Sequence, residues 1–343
     1  MRRTHAIGRR RTALAAALMV FLVAGFLFAA ASAGAAVVYN SDVDTMITNV
    51  SQDELEPAVN ELSGVTPATT IFGLPYFILT RASSSGEPID MAERYIYDRL
   101  SSYGLSSVAY QDYPGQGFVV RPGRNIIGEI TGTKNPNEII IIGAHLDDRP
   151  QLRVIAIAPG ADDDASGVSA NLYLARSFAG KTFERTIRFV FFGSEENAPW
   201  TSNHYGSGYY ADQAKLAGEN IVAMIQADAL AYIGTETKVA RMVTRTARKD
   251  PGGGDAAIFT MWQEAVSVYR IDIEPTQRAT GTNLSDHGPF WQNGYHAVML
   301  IHSGGNPNWH TVDDTVLTFT WPYYVEMTKS LVAVAAHEAG ITE

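Results

Sequence analysis

Ile139-Ile140-Ile141-Ile142-Gly143-Ala144-His145-Leu146-Asp147 is the stretch on which the reading of this chain turns. Four consecutive isoleucines offer no polar face, so as a strand they must be covered on both sides. A histidine and an aspartate follow at once. Other apolar runs end in the same way: residues 189–192 run into Gly193-Ser194-Glu195-Glu196, and residues 221–226 into Ala227-Asp228. The run ending at Ile301 leads through a Gly-rich loop to Asn308-Trp309-His310.

Between these runs the periodicity changes to that of helices. Val168, Leu172, Ala175 and Ala179 mark one helix, residues 208–217 and 256–269 two more. A closing helix starts at Pro322, a favoured first-turn residue, and turns Val325, Leu331 and Ala335 inward. Upstream, Ser51-Gln52-Asp53-Glu54 reads as a capping box ahead of Leu55, Val59 and Leu62, and residues 90–102 as a second amphipathic helix. The runs 125–130 and 139–142 flank a polar, turn-rich loop and predict a β-hairpin. The alternation predicts an α/β fold: a single domain with a mixed, mainly parallel sheet and helices on both faces.

The first residues stand apart. Arg2, Arg3, Arg9, Arg10 and Arg11 precede an uncharged run from Thr12 to Asn40, which contains the small-residue triplet Ala31-Ser32-Ala33. This order predicts that residues 1–35 are a signal peptide or, since the run is long enough to span a bilayer, a membrane anchor. Residues 36–343 then form the folded domain, exported to the secreted or periplasmic side. Removing those five arginines leaves 21 basic against 36 acidic residues, a net charge of −15. A surface of that sign repels nucleic acid and anionic lipid. There is no cysteine, which excludes disulfides and thiol nucleophiles, and there is no Gly-x-Ser-x-Gly elbow or phosphate-cradling loop.

In a parallel sheet, ligands bind beyond the carboxyl ends of the strands. His145, Glu195, Glu196, Asp228 and His310 all follow such ends, and Asp162-Asp163-Asp164 opens the helix that points there. Histidine and carboxylate donors suit zinc, and a carboxylate can bridge two ions. Three carboxylates and two neutral imidazoles set −3 against the +4 of two divalent ions, which favours a bridging hydroxide as nucleophile. Asp147, two residues from His145, is placed to orient it. Glu195, beside Glu196, is placed to act as general base and acid.

Six motifs in order then resemble the co-catalytic zinc aminopeptidases of peptidase family M28. They are Gly143-Ala144-His145-Leu146-Asp147, residues 159–167 around Asp163, Phe192-Gly193-Ser194-Glu195-Glu196, Gln226-Ala227-Asp228, Ser285-Asp286-His287 and His310-Thr311-Val312-Asp313-Asp314-Thr315. The resemblance implies a zinc-dependent exopeptidase fold, two zinc ions per chain and peptide substrates cleaved at the N-terminus through a metal-bridged water. It implies that Asp163 bridges both metals, with His145 and Asp228 on one and Glu196 and His310 on the other. Glu195 is then the general base, and Asp147 the carboxylate that backs the metal ligands from behind. A carboxypeptidase or dipeptidase on the same metal core, using Arg149 or Arg153, is an alternative. So is a single-zinc acyltransferase like the glutaminyl cyclases. The chain departs from the family pattern twice. Asp148, followed by Arg149, stands where Ser is common, and residues 197–205 intervene before Gly206-Ser207.

Overall fold

The isoleucine run lies at the centre of an eight-stranded sheet in the computed structural model, which describes residues 36–115, 122–149, 157–196, 205–235, 237–281 and 283–342. The expected signal or anchor segment (1–35), Arg153, Trp200 and His204 lie outside the described residues.

Two helices, α1 (Ser41–Thr48) and α2 (Gln52–Leu62), precede a small hairpin of β1 (Thr69–Ile71) and β2 (Leu74–Tyr76). Then come α3 (Glu87–Ser102), β3 (Ser107–Tyr113), β4 (Gly123–Ile130), β5 (Asn135–His145), α4 (Gly167–Phe178) and β6 (Arg185–Phe192). They are followed by α5 (Tyr205–Ala217), β7 (Asn220–Ala227), β8 (Val239–Arg245), α6 (Gly254–Val268) and β9 (Glu274–Thr280). The last are α7 (His287–Gln292), β10 (Ala297–His302) and α8 (Trp321–Ala339). The strand order in space is β3-β4-β6-β5-β7-β10-β8-β9. Its middle, β6-β5-β7-β10, is parallel; β4 and β8 join antiparallel on either side.

The pleat explains the isoleucines. Ile140 and Ile142 face the core that holds Leu174, Phe178 and Leu331 of α4 and α8. Ile139 and Ile141 face the opposite core, with Tyr210 of α5 and Phe290 of α7. Both faces are dry, so no polar residue is tolerated in alternation. Each such side chain contributes about 1.5–3 kcal/mol of burial.

Two expectations need correction. Residues 123–130 and 135–145 do not form a hairpin, because β6 lies between them, antiparallel to β4 and parallel to β5. The connecting loop crosses beneath β6, where a Cβ on Gly132 would lie 2.4 Å from the Arg185 carbonyl carbon. Only glycine fits that crossing. Ser51 does precede α2, but its side chain makes no capping hydrogen bond, so the capping box is not formed. Leu55, Val59 and Leu62 are buried as expected. The sequence did not disclose β9, a polar edge strand with Pro275 at its second position, where a missing N–H is harmless.

Candidate metal centre

Parallel register brings the strand ends level. His145 ends β5 opposite Phe192, the last residue of β6. Ala227 of β7 lies opposite Leu300 of β10, so Asp228 emerges on the same rim. A kinked turn, Ala161–Ser166, whose backbone leaves the helical region at Asp163 and Asp164, carries Asp162, Asp163 and Asp164 in front of α4. The approach is close: a Cβ on Gly167 would lie 2.4 Å from both the Ala227 carbonyl oxygen and Asp164 Oδ1.

Asp163 stands between two histidines. Its Oδ1 is 3.0 Å from His145 Nε2, and its Oδ2 is 3.3 Å from His310 Nε2. Asp228 Oδ1 is 3.8 Å from His145 Nε2, and Glu196 Oε1 is 2.9 Å from His310 Nε2. Two triplets result, His145–Asp163–Asp228 and Asp163–Glu196–His310, each with its donor atoms within 4.8 Å of one another and both sharing Asp163. Glu195 belongs to a third such group with His145 and Glu196.

The surroundings aim these donors. His145 Nδ1 donates to the Asp147 carbonyl oxygen at 3.1 Å, which leaves Nε2 turned toward the centre. Asp228 Oδ2 accepts from Ser285 Oγ (2.8 Å) and Gln226 Nε2 (2.9 Å), which turns Oδ1 inward. Gln226 is braced in turn by the backbone N–H of His287. Asp314 accepts from the backbone N–H groups of Asp162 and Asp163, and Asp164 from those of His145, Gly167 and Ala229. Positive φ, costly outside glycine, recurs here at Ser194 (62°), Ala229 (53°) and His310 (59°), each within the segments that carry donors.

Asp147 has a different job from the one its spacing suggested. Its carboxylate is 3.9 Å from His145 Nδ1 and instead accepts from the backbone N–H of Glu195 (3.0 Å) and Glu196 (3.2 Å) and from Ser83 Oγ (2.8 Å). It therefore positions the Glu195–Glu196 turn. Sequence reasoning also missed Arg81. That side chain is fully buried and donates to the carbonyls of Leu62, Leu146, Pro159 and Gly160, tying the segments behind the centre together. Asp148 is buried beside it and accepts from the Arg81 N–H and Thr80 Oγ1. Tyr205, at the start of α5, is buried.

The electrostatics show a centre short of positive charge. Burial opposes a charged His145, yet the carboxylates of Asp163 and Asp228 raise its pKa well above the ordinary value. The contacts with Asp163 and Glu196 push His310 up to about 10. Burial works against the Asp163 carboxylate too, but the two histidines hold its pKa below the ordinary range. Burial, with Asp163 nearby, raises Glu196 to about 7, and burial holds Glu195 well above the ordinary carboxylate value. The histidines can meet that demand only by holding protons, which a metal ion would displace. Imidazole and carboxylate donors in two triplets with one shared carboxylate fit a pair of zinc ions.

A probable zinc metalloprotease of Pyrenophora tritici-repentis is 29% identical over 208 residues, covering 56% of this chain and 41% of the relative. The chain spans about half the length of the curated relatives it matches. Among solved structures, the Legionella pneumophila LapA aminopeptidase matches with a TM-score of 0.68 at 18% identity, over 90% of this chain and 78% of that one. A Macrostomum lignano glutaminyl cyclase matches with a TM-score of 0.72 at 17% identity, over 90% and 97%. At such identities these two likenesses establish the fold, an α/β domain with a mixed, mostly parallel sheet. The family model for peptidase family M28 matches residues 125–335, the span that carries every donor described above, and the chain belongs to that family.

Proposed function

We propose that this chain is an exported aminopeptidase that works with two zinc ions. The observation that carries the reading is the division of Asp163, one oxygen toward His145 and the other toward His310. His145, Asp163 and Asp228 would hold one ion, and Asp163, Glu196 and His310 the other. Bound zinc supplies Lewis acidity toward a peptide carbonyl and lowers the pKa of water.

The chain's own residues supply the rest. Glu195 sits within reach of both triplets, and burial lifts its pKa toward the range a proton carrier needs. It takes a proton from the attacking water and returns it to the leaving amine. Asp147 keeps that carboxylate in place through the Glu195 and Glu196 N–H groups. The acids around it, Asp228 and Asp286 among them, favour a substrate's free ammonium group at depth. Export rests on the basic and then uncharged N-terminal segment, with residues 36–343 as the catalytic domain.

A single-zinc glutaminyl-cyclase-like acyltransferase is the second reading, favoured by the likeness of fold. Zinc content per chain, measured beside turnover of leucyl and alanyl arylamides and of N-terminal glutamine peptides, separates the two. Two ions with arylamide hydrolysis support the aminopeptidase. One ion with cyclisation and no hydrolysis sinks it.

A further inference from the structure

His310 is the donor with the least support from regular structure. The other four follow strand ends or precede α4, whereas His310 lies in the loop 303–314 between β10 and α8. It is also the most exposed of the five, at 35% against 2–12%. Its backbone, at φ 59°, sits in a region that is costly for any residue but glycine. The loop's own bonds must therefore hold it in place.

Those bonds converge. Among the described residues, every long-range hydrogen bond made by residues 303–314 ends on Ala161, Asp162 or Asp163. Four residues after His310, the Asp314 carboxylate accepts from the N–H groups of Asp162 (3.0 Å) and Asp163 (3.1 Å). Four residues before it, Asn306 Nδ2 donates to Asp162 Oδ2 at 2.9 Å. Asn306 Oδ1 accepts from the Asn308 N–H at 2.9 Å, which shapes the turn into Trp309 and His310. The loop is thus pinned on both sides of its ligand to the turn that carries Asp163.

Asp162 belongs to neither donor triplet, yet its side chain is fully buried. Oδ1 accepts from the Ala231 N–H at 2.8 Å. Oδ2 takes the Asn306 amide, and His302 Nε2 lies 3.1 Å from the same oxygen. Trp309, the neighbour of His310, packs on the His302 ring with centroids 5.3 Å apart. A carboxylate acceptor makes the Asn306 bond charge-assisted, and such bonds are the stronger kind. The other triplet is aimed by different partners: the Asp147 carbonyl for His145, and Ser285 and Gln226 for Asp228.

Resting on the two-zinc reading above, we propose that Asp162 and Asn306 are positioning residues for His310. Their bond sets how tightly the zinc of Asp163, Glu196 and His310 is held, and leaves the zinc of His145, Asp163 and Asp228 unaffected. The three consecutive aspartates then have three duties: Asp162 fixes the loop of His310, Asp163 is shared between the ions, and Asp164 ties strand ends to α4.

The full chain is stripped of metal and titrated with zinc against a chelating indicator, with His310→Ala as the reference for loss of that donor. The wild type takes up two ions. Asn306→Ala is expected to loosen one of them by about 10- to 100-fold, as loss of a partner that orients a ligand does, with the other unchanged. Asn306→Asp sets two carboxylates against each other and loosens the same ion at least as much. The double variant Asp162→Asn/Asn306→Asp exchanges amide and carboxylate, and should recover much of the affinity. A merely structural role would lower the melting temperature of the zinc-free chain without distinguishing the ions. Should Asn306→Asp not fold, Asn306→Ala, which adds no charge to the interior, carries the test. Two ions as tight in Asn306→Ala as in the wild type, or equal loosening of both, overturns the assignment and leaves the two-zinc reading standing. So does a folded double variant that recovers nothing. A wild type that takes up a single zinc overturns both.

Discussion

His145, Asp163 and Asp228 at one end of the sheet, and Asp250, Asp255 and His296 at the other, make the same kind of triplet: one imidazole, two carboxylates, donor atoms within 4.8 Å. They differ in what balances the charge. At the far end Arg245 reaches into the group, 2.8 Å from Asp255 Oδ1 and 3.3 Å from Asp250 Oδ1. Its guanidinium never gives up its proton, so the place of a cation is permanently taken. At the near end, among the described residues, the carboxylates of Asp163 and Asp228 form ion pairs with histidine alone. A histidine's proton can be displaced by a metal; an arginine cannot. Counting donors is thus a poor guide to a metal site, and asking which cation already lives there is a better one.

Asp163→Asn is the most severe way to break this contrast. Zinc at both positions should fall together and hydrolysis should be lost, as elemental analysis and turnover would show; full occupancy in that variant contradicts a shared ligand. Glu195→Ala comes next, with kcat expected to drop about 10²- to 10⁴-fold while zinc is retained. Activity near wild type would remove Glu195 from proton transfer.

At the far end, Arg245→Met strands two buried carboxylates and should destabilise the fold by about 3–5 kcal/mol in urea denaturation, with zinc content unchanged. A gain of bound zinc there would mean that the arginine alone had kept the cluster from being a metal site. The smallest effect belongs to His296. Its hydrogen bond to Asp255 raises its pKa above the ordinary value, against the opposing effect of burial. The unfolded chain's histidine titrates near 6.5, so this stabilisation is complete below about pH 6.5 and fades as pH rises through the folded value. The gap in melting temperature between wild type and His296→Gln should therefore narrow from pH 6 to pH 8, and a constant gap would assign it to packing.

Much of the near end was legible in the sequence, for a physical reason. A strand buried on both faces is apolar along its length, so the polar residues that soon follow Ile142, Phe192 and Gln226 announce the sheet's rim. His145, Glu195, Glu196 and Asp228 are among them. The closing helix was legible through Pro322, and α4 through Val168, Leu172 and Ala175. What was not legible depends on partners distant in sequence. Nothing local marks Arg81 for burial, because its four acceptors are carbonyls from three other segments. The insertion of β6 between β4 and β5 is equally silent, since a hairpin and a split hairpin share one local pattern. Asp147 has the right spacing to serve His145, and only the folded turn reveals that its carboxylate serves Glu195 and Glu196 instead.

Asp164 has a consequence for how this centre comes to be filled. Its carboxylate joins the amides of His145, Gly167 and Ala229, and so locks the ends of β5 and β7 to the start of α4. None of those bonds passes through an ion. Such bonds do not depend on the ion, so metal capture is expected to be separable from chain ordering. Loading this centre is a matter of stripping water from the ion and protons from two imidazoles. Chelation and reloading should be a cycle the fold survives, with the ion a removable part and the scaffold its permanent mould.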